Sequence, residues 1–158
     1  MPNSNEPQAI TVRPARATDT ATWFRMRHAL WPDAPESEHR EEIDRYFAGE
    51  FPRGPWEVLL AEAAPGRILG FAEVSIRPYA EGCTTSRVAY LEGWYVREAE
   101  RGRGVGRALV EAAADWGRAR GCAEFASDAE ADNEISRLAH RALGFADVGL
   151  VRCFRRDL

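Results

Sequence analysis

A chain of 158 residues is long enough to bury a proper core and short enough to be one domain. Its 45% apolar content and five tryptophans argue for a folded globule over a disordered chain. The net charge of −4, from 25 acidic against 21 basic residues, disfavours nucleic-acid binding and is compatible with a cationic substrate.

No apolar run approaches the length of a membrane span, and the first residues have neither a basic start nor an apolar signal core. Neither a membrane nor a nucleic acid is an expected partner. Cys83, Cys122 and Cys153 form no metal-ligand spacing, and their odd number argues against a disulfide framework. No metal is expected, and the cytoplasm is the simplest compartment. Residues 1–8 read as a frayed tail and 9–158 as a single domain.

Ile10 to Ala15 alternates apolar and polar residues and reads as a first strand. Thr18 or Asp19 is placed to cap a helix through about Leu30, with Trp23, Met26, Arg27 and Leu30 on one stripe. Pro32 and Pro35 end it, and a second, highly charged helix follows from about Glu36 to Ala48. Trp56 to Ala63 and Arg67 to Arg77, joined at Pro65-Gly66, read as an antiparallel hairpin. Val88 to Val96 is a fourth strand, Val105 to Arg120 a third helix ended by Gly121, and Ala123 to Ser127 a short fifth strand. That strand–helix–strand unit predicts a right-handed crossover and a parallel fourth and fifth strand. Asn133 to Leu143 reads as a fourth helix and Asp147 to Arg155 as a closing strand. The order describes an α+β domain with one central mixed sheet.

Between the fourth strand and the third helix lies Arg101-Gly102-Arg103-Gly104-Val105-Gly106-Arg107. A glycine turn feeding a helix start presents backbone N–H groups and about half a positive charge, which suits an anion. The arginines add cations matched to phosphate oxygens, so a pyrophosphate-bearing ligand is expected. A nucleoside-triphosphate loop requires Gly-Lys followed by Ser or Thr, which does not occur here. A dinucleotide fingerprint requires a glycine at the sixth position from Gly102, where Arg107 stands.

What remains is Arg/Gln-x-x-Gly-x-Gly/Ala, met by Arg101, Gly104 and Gly106. It resembles the acetyl-CoA pyrophosphate loop of the GNAT superfamily of N-acetyltransferases. A second signature supports this resemblance: Asn133-Glu134-Ile135-Ser136 leading to His140-Arg141-Ala142-Leu143-Gly144-Phe145. The likeness narrows around Leu30-Trp31-Pro32, Gly70-Phe71-Ala72-Glu73 with Ser75-Ile76-Arg77, Leu91-Glu92-Gly93 and Ala126-Ser127-Asp128. Together these are similar to the aminoglycoside 6′-N-acetyltransferases, over about residues 10 to 155.

The resemblance implies a GNAT fold of about seven strands and about four helices, with the fourth and fifth strands parallel and splayed. It implies acetyl-CoA as cosubstrate and transfer of its acetyl group to the 6′-amine of an aminoglycoside. It places Trp94, Tyr95 and Val96 against the pantetheine arm by backbone pairing, Asn133 as a hydrogen-bond partner of that arm, and Arg101 to Arg107 on the phosphates. It also implies a homodimer pairing C-terminal strands, for which Val148 to Phe154 is the segment available. One departure stands out. The superfamily commonly has a tyrosine four residues before the last-helix glycine, as the acid that protonates the departing thiolate, and this chain has His140 there. Imidazole is able to donate a proton near neutrality, but packing within the helix is an equally simple role.

An alkylamine with a pKa near ~10 arrives protonated and must lose a proton before attack. Glu92 and Asp128, at the ends of the two parallel strands, are the candidates to bind the ammonium and relay its proton to water. Trp31, Glu73 and Tyr79 are further candidates for the acceptor groove, Trp31 by cation–π or sugar-face contact. An acetyltransferase for another small amine, a polyamine or a protein N-terminus remains open, as does a non-catalytic CoA-binding sensor.

Overall fold

The computed structural model describes residues 9–158, so the tail expected over residues 1–8 lies outside the described residues. The strands are β1 (Thr11–Pro14), β2 (Trp56–Ala64), β3 (Arg67–Arg77), β4 (Val88–Val96) and β5 (Glu124–Ser127). The helices are α1 (Thr20–Leu30), α2 (Glu36–Ala48), α3 (Val105–Arg118) and α4 (Glu134–Ala142). The strands form one sheet in the order β1-β2-β3-β4-β5, antiparallel through β4 and parallel between β4 and β5.

Each face of the sheet carries its own core. Leu59, Ala61, Ala72, Val74 and Leu91 pack under Val105, Leu109, Val110 and Ala113 of α3. These four recur at helical spacing, so α3 buries one face, and each fully buried leucine contributes about 1.5–3 kcal/mol. On the opposite face Val58, Leu60, Ile68 and Phe71 pack against Trp23 and Met26 of α1 and Ile43 of α2. Trp23 is fully buried, with Tyr46 edge-on at 5.3 Å and Trp56 at 6.2 Å.

The sheet has five strands among the described residues, not about seven, and the strand expected over Asp147 to Arg155 is not formed. Gly149, at φ 132, turns the backbone to a conformation that interrupts an extended run. The flanking apolar side chains find no sheet to cover: Val148, Leu150, Val151 and Phe154 are all exposed. The segment stays unpaired although, among the described residues, the outer edge of β5 is open. The third helix also stops two residues early, at Arg118, with Gly121 at φ 80 beyond it.

Candidate active site

The departure point is where β4 and β5 stop pairing. Their register runs from Val88↔Glu124 to Leu91↔Ser127, and β4 then continues alone from Glu92 to Val96. A bulge lies at the same place. Glu73 of β3 opposes Gly93 while Val74 opposes Leu91, leaving Glu92 as the extra residue. A bulge bends the strand and re-aims the inserted side chain. Here Glu92 and Gly93 both face the α1–α2 side, which sends Trp94 to the α3 side, and Trp31, just past the end of α1, fills the room over Gly93. A Cβ on Gly93 would stand 2.4 Å from the Trp31 ring.

Register places a polar row on that face. Glu73, Ser75 and Arg77 alternate along β3, and Tyr90 lies opposite Ser75 and beside Ala126 of β5. Glu92 accepts hydrogen bonds from Ser75 Oγ at 2.5 Å and from Arg77 Nε and Nη2 at 2.9 and 2.6 Å. The carboxylate in turn holds the Arg77 guanidinium above its ordinary pKa. The same guanidinium stacks 3.5 Å from the centre of the Tyr90 ring. Burial raises the Tyr90 phenol well above its usual range, helped by the nearby Asp128 carboxylate. Glu92 and Asp128 are thus brought into one network, through Arg77 and Tyr90.

Glu73 and Tyr79 are placed differently from one another and from that network. Glu73 is buried beneath it, accepting from Trp23 Nε1 at 3.0 Å, with Arg27 Nε at 3.5 Å in ion-pair range but not aligned as a hydrogen bond. Burial pushes its carboxyl up to about 7, against the opposing pull of Arg27 and Trp23. Tyr79 is on the exposed loop after β3. Trp31 stacks over Arg27 at 5.1 Å and meets Phe71 edge-on.

On the opposite face stands His140 of α4. Its Nδ1 lies 2.7 Å from the Ser136 carbonyl and its Nε2 2.9 Å from Ser127 Oγ. Trp94 meets the ring edge-on at 5.6 Å, and Trp94 Nε1 is buried without a partner. Asn133 caps α4, its Oδ1 accepting from Ser136 N at 3.0 Å, which leaves its amide N–H₂ group available. Sequence reasoning missed Ser75, Arg77, Tyr90 and Ser127. Alternation along β3 puts Ser75 and Arg77 on the Glu73 face, but only the register joins them to Glu92.

The glycine loop lies at the far end of β4. Gly102 and Gly104 take φ of 74 and 82, and a Cβ on either would meet nothing within 4 Å. Those conformations favour glycine, and the open space lets another molecule reach the backbone. Ala108 N is bonded to Gly104 O, so the amides of Val105, Gly106 and Arg107 precede the first helical bond. Gly106 instead packs on Trp94, with 2.7 Å between its would-be Cβ and the ring. Arg101 Nε bonds the Val96 carbonyl at 3.1 Å, Arg103 pairs with Glu100, and Arg107 reaches the Ala142 carbonyl of α4 at 3.1 Å. A helix start with free amides, bare glycines and flanking arginines fits a pyrophosphate. The unpaired stretch of β4 beside it fits an extended amide-bearing arm.

The family model for the acetyltransferase (GNAT) family matches residues 23–145. The chain belongs to the GNAT acetyltransferase family. Among curated GNAT relatives, it is 54% identical over 147 residues to an aminoglycoside N(6′)-acetyltransferase type 1 of Klebsiella aerogenes, covering 93% of this chain and 96% of that one. A protein of the same name from Stenotrophomonas maltophilia is 42% identical over 151 residues, 95% of each chain. Among solved GNAT structures, the aminoglycoside N-acetyltransferase AAC(6′)-Iy in complex with CoA superposes with a TM-score of 0.88 at 33% identity, covering 100% of this chain and 99% of that one. The same enzyme with a bisubstrate analogue, CoA-S-monomethyl-acetylneamine, gives 0.86 at 34% identity, covering 95% and 99%. Among the described residues no cluster of His, Cys, Asp or Glu is arranged to hold a metal ion, and no helix is long and apolar enough to cross a membrane.

Proposed function

We propose that this GNAT enzyme transfers the acetyl group of acetyl-CoA to the 6′-amine of aminoglycosides. The observation that carries the reading is the division of labour across the sheet at the end of the β4–β5 pairing. Carboxylates Glu92 and Asp128 lie on the α1–α2 face, the imidazole of His140 on the α3–α4 face, and the phosphate loop at the far end of the same strand. A cationic amine and a thioester are thereby offered opposite sides of one gap. The names of the relatives, and the bisubstrate complex of AAC(6′)-Iy, support aminoglycosides as the acceptor class.

In this reading the amides at the start of α3, with Arg101, Arg103 and Arg107, hold the phosphates, and Trp94 to Val96 and Asn133 line the pantetheine arm. A β4 N–H polarises the thioester carbonyl as a one-donor oxyanion site. Glu92 and Asp128 bind the ammonium and pass its proton to water, after which the neutral amine attacks directly. Trp31 closes the acceptor side by stacking, and His140 is the source of the proton that the departing thiolate takes up.

The protein is expected to work in the cytoplasm as a homodimer. Support for the dimer comes from the outer side of β5, which no strand among the described residues covers, and from the exposed Val148, Leu150, Val151 and Phe154. Sedimentation of the full chain beside one ending at Phe145 tests this, with a dimer expected only for the former.

Thiol release from acetyl-CoA, followed with kanamycin, tobramycin, spermidine and a peptide panel, tests the activity. Turnover with the drugs and acetylation at the 6′-nitrogen are expected. Turnover confined to spermidine or peptides would refute the acceptor, and CoA binding with no turnover would refute catalysis.

A further inference from the structure

The geometry points to Ser127 as the group that hands a proton to the departing thiolate, with His140 acting through it. The inference deepens the acetyl-transfer reading above and rests on it.

Both ring nitrogens of His140 are already engaged inside the protein. Nδ1 faces the Ser136 carbonyl at 2.7 Å, and a carbonyl only accepts, so Nδ1 carries a proton. Nε2 faces Ser127 Oγ at 2.9 Å. The ring is held in that pose from two sides, by Trp94 edge-on at 5.6 Å and Phe145 at 5.3 Å. Its nitrogens therefore have no open line to the gap beside β4. Ser127 does: it is the last β5 residue paired with β4, it is half-buried, and its Oγ lies 3.2 Å from the carbonyl of Leu91, the last β4 residue paired with β5.

A hydroxyl has one proton and two acceptors compete for it here. With a neutral ring, Ser127 O–H donates to Nε2. With a protonated ring, Nε2–H donates to Ser127 Oγ, and the hydroxyl proton must turn to Leu91 O or to an acceptor in the gap. A proton added to His140 thus frees the Ser127 proton toward the place where the strands part.

The step balances as follows. The amine nitrogen forms its bond to the thioester carbonyl carbon, the carbon–sulfur bond breaks, and its electron pair leaves on sulfur. The Ser127 proton goes to sulfur, the Nε2 proton goes to Ser127 Oγ, and His140 is left neutral with its Nδ1–H still donating to Ser136 O. Of the two protons the ammonium nitrogen sheds, one restores the imidazolium through solvent and one is released. Ser127 touches the reacting sulfur and is the catalytic residue; His140 is the positioning residue and proton reserve behind it.

The test compares Ser127→Ala, Ser127→Thr, His140→Ala and the Ser127→Ala/His140→Ala pair in the full chain. Ser127→Ala is expected to lower kcat on the order of 100-fold with KM for acetyl-CoA unchanged, and Ser127→Thr to restore it. The double variant should be no slower than the slower single one, since the two act as a unit. The solvent isotope dependence of kcat should be curved in mixed light and heavy water for the unaltered enzyme, where two protons move, and linear in Ser127→Ala. Nitrogen NMR of the ligand-free protein gives a readout apart from turnover: the Nε2 resonance of His140 should move in Ser127→Ala while Nδ1 stays. If His140→Ala is slow and Ser127→Ala is not, the relay fails while the acid role of His140 survives. If Ser127→Ala is slow and His140→Ala is not, Ser127 draws its proton elsewhere and the relay fails. If neither is slow, both fail.

Discussion

Raising the pH through neutrality should weaken this fold by way of one buried carboxyl. Glu73 is fully enclosed on the α1–α2 face, and burial lifts its pKa from an ordinary 4.5 to about 7, with Arg27 and Trp23 Nε1 opposing the rise and Glu42 and Glu92 adding to it. Because the folded state binds this proton more tightly than the unfolded chain, stability is full below about 4.5 and falls as pH rises through about 7. At about 1.36 kcal/mol for each tenfold change in proton affinity, the whole effect is about 3 kcal/mol, of which about 2 kcal/mol falls between pH of about 5.5 and 8.5. The carboxylates held low by partners, Asp19 beside Arg13 and Glu134 beside Arg137, lose their contribution in acid and do not vary across that window. Urea unfolding at a series of pH values, for the unaltered protein and for Glu73→Gln, measures the difference directly. Glu73→Gln leaves Arg27 without its counter-ion, so its absolute stability is not the readout; the slope is. A Glu73→Gln curve parallel to the unaltered one across the window would refute the reasoning.

Replacing Gly106 with alanine sets a methyl 2.7 Å from the Trp94 ring, so the ring that braces His140 must shift. A stability loss of about 1–3 kcal/mol by urea unfolding is expected, together with a fall in kcat. Gly104→Val has open space but a φ of 82, so it should fold with modest strain and raise KM for acetyl-CoA about tenfold by blocking approach to the loop backbone. An unchanged KM would take the phosphates away from this loop. Asp128→Asn should raise KM for the aminoglycoside about tenfold while sparing acetyl-CoA. If calorimetry shows weaker CoA binding alone, Asp128 belongs to the other half of the site.

Much of the site was readable because it is local. The glycine loop, its arginines and the helix behind it are consecutive, and a glycine turn that opens a helix presents free amides suited to an anion. The four helices and the β2–β3 hairpin were likewise legible from periodicity and from Pro65-Gly66. The strand expected over Asp147 to Arg155 shows the limit. Its apolar residues read as a strand, yet a strand exists only when it is paired, and composition does not state whether a segment will pair.

What the order of residues indicated by itself was the family-level chemistry: a candidate phosphate loop from Arg101 to Arg107, a last helix from about Asn133, and Glu92 and Asp128 as candidates for the acceptor side. What only the tertiary structure decided was how those parts face one another. The pairing of β3 with β4 sets the Glu92 carboxylate in the grip of Ser75 and Arg77, and the bulge after it sends Trp94 to the α3 side. The end of β5 pairing at Ser127 sets a hydroxyl between His140 and the gap. The same sheet buries Glu73 beneath the carboxylate network instead of leaving it on the groove. Each outcome depends on which residue of one strand lies opposite which residue of the next, and a shift of one residue would send every one of these side chains to the other face.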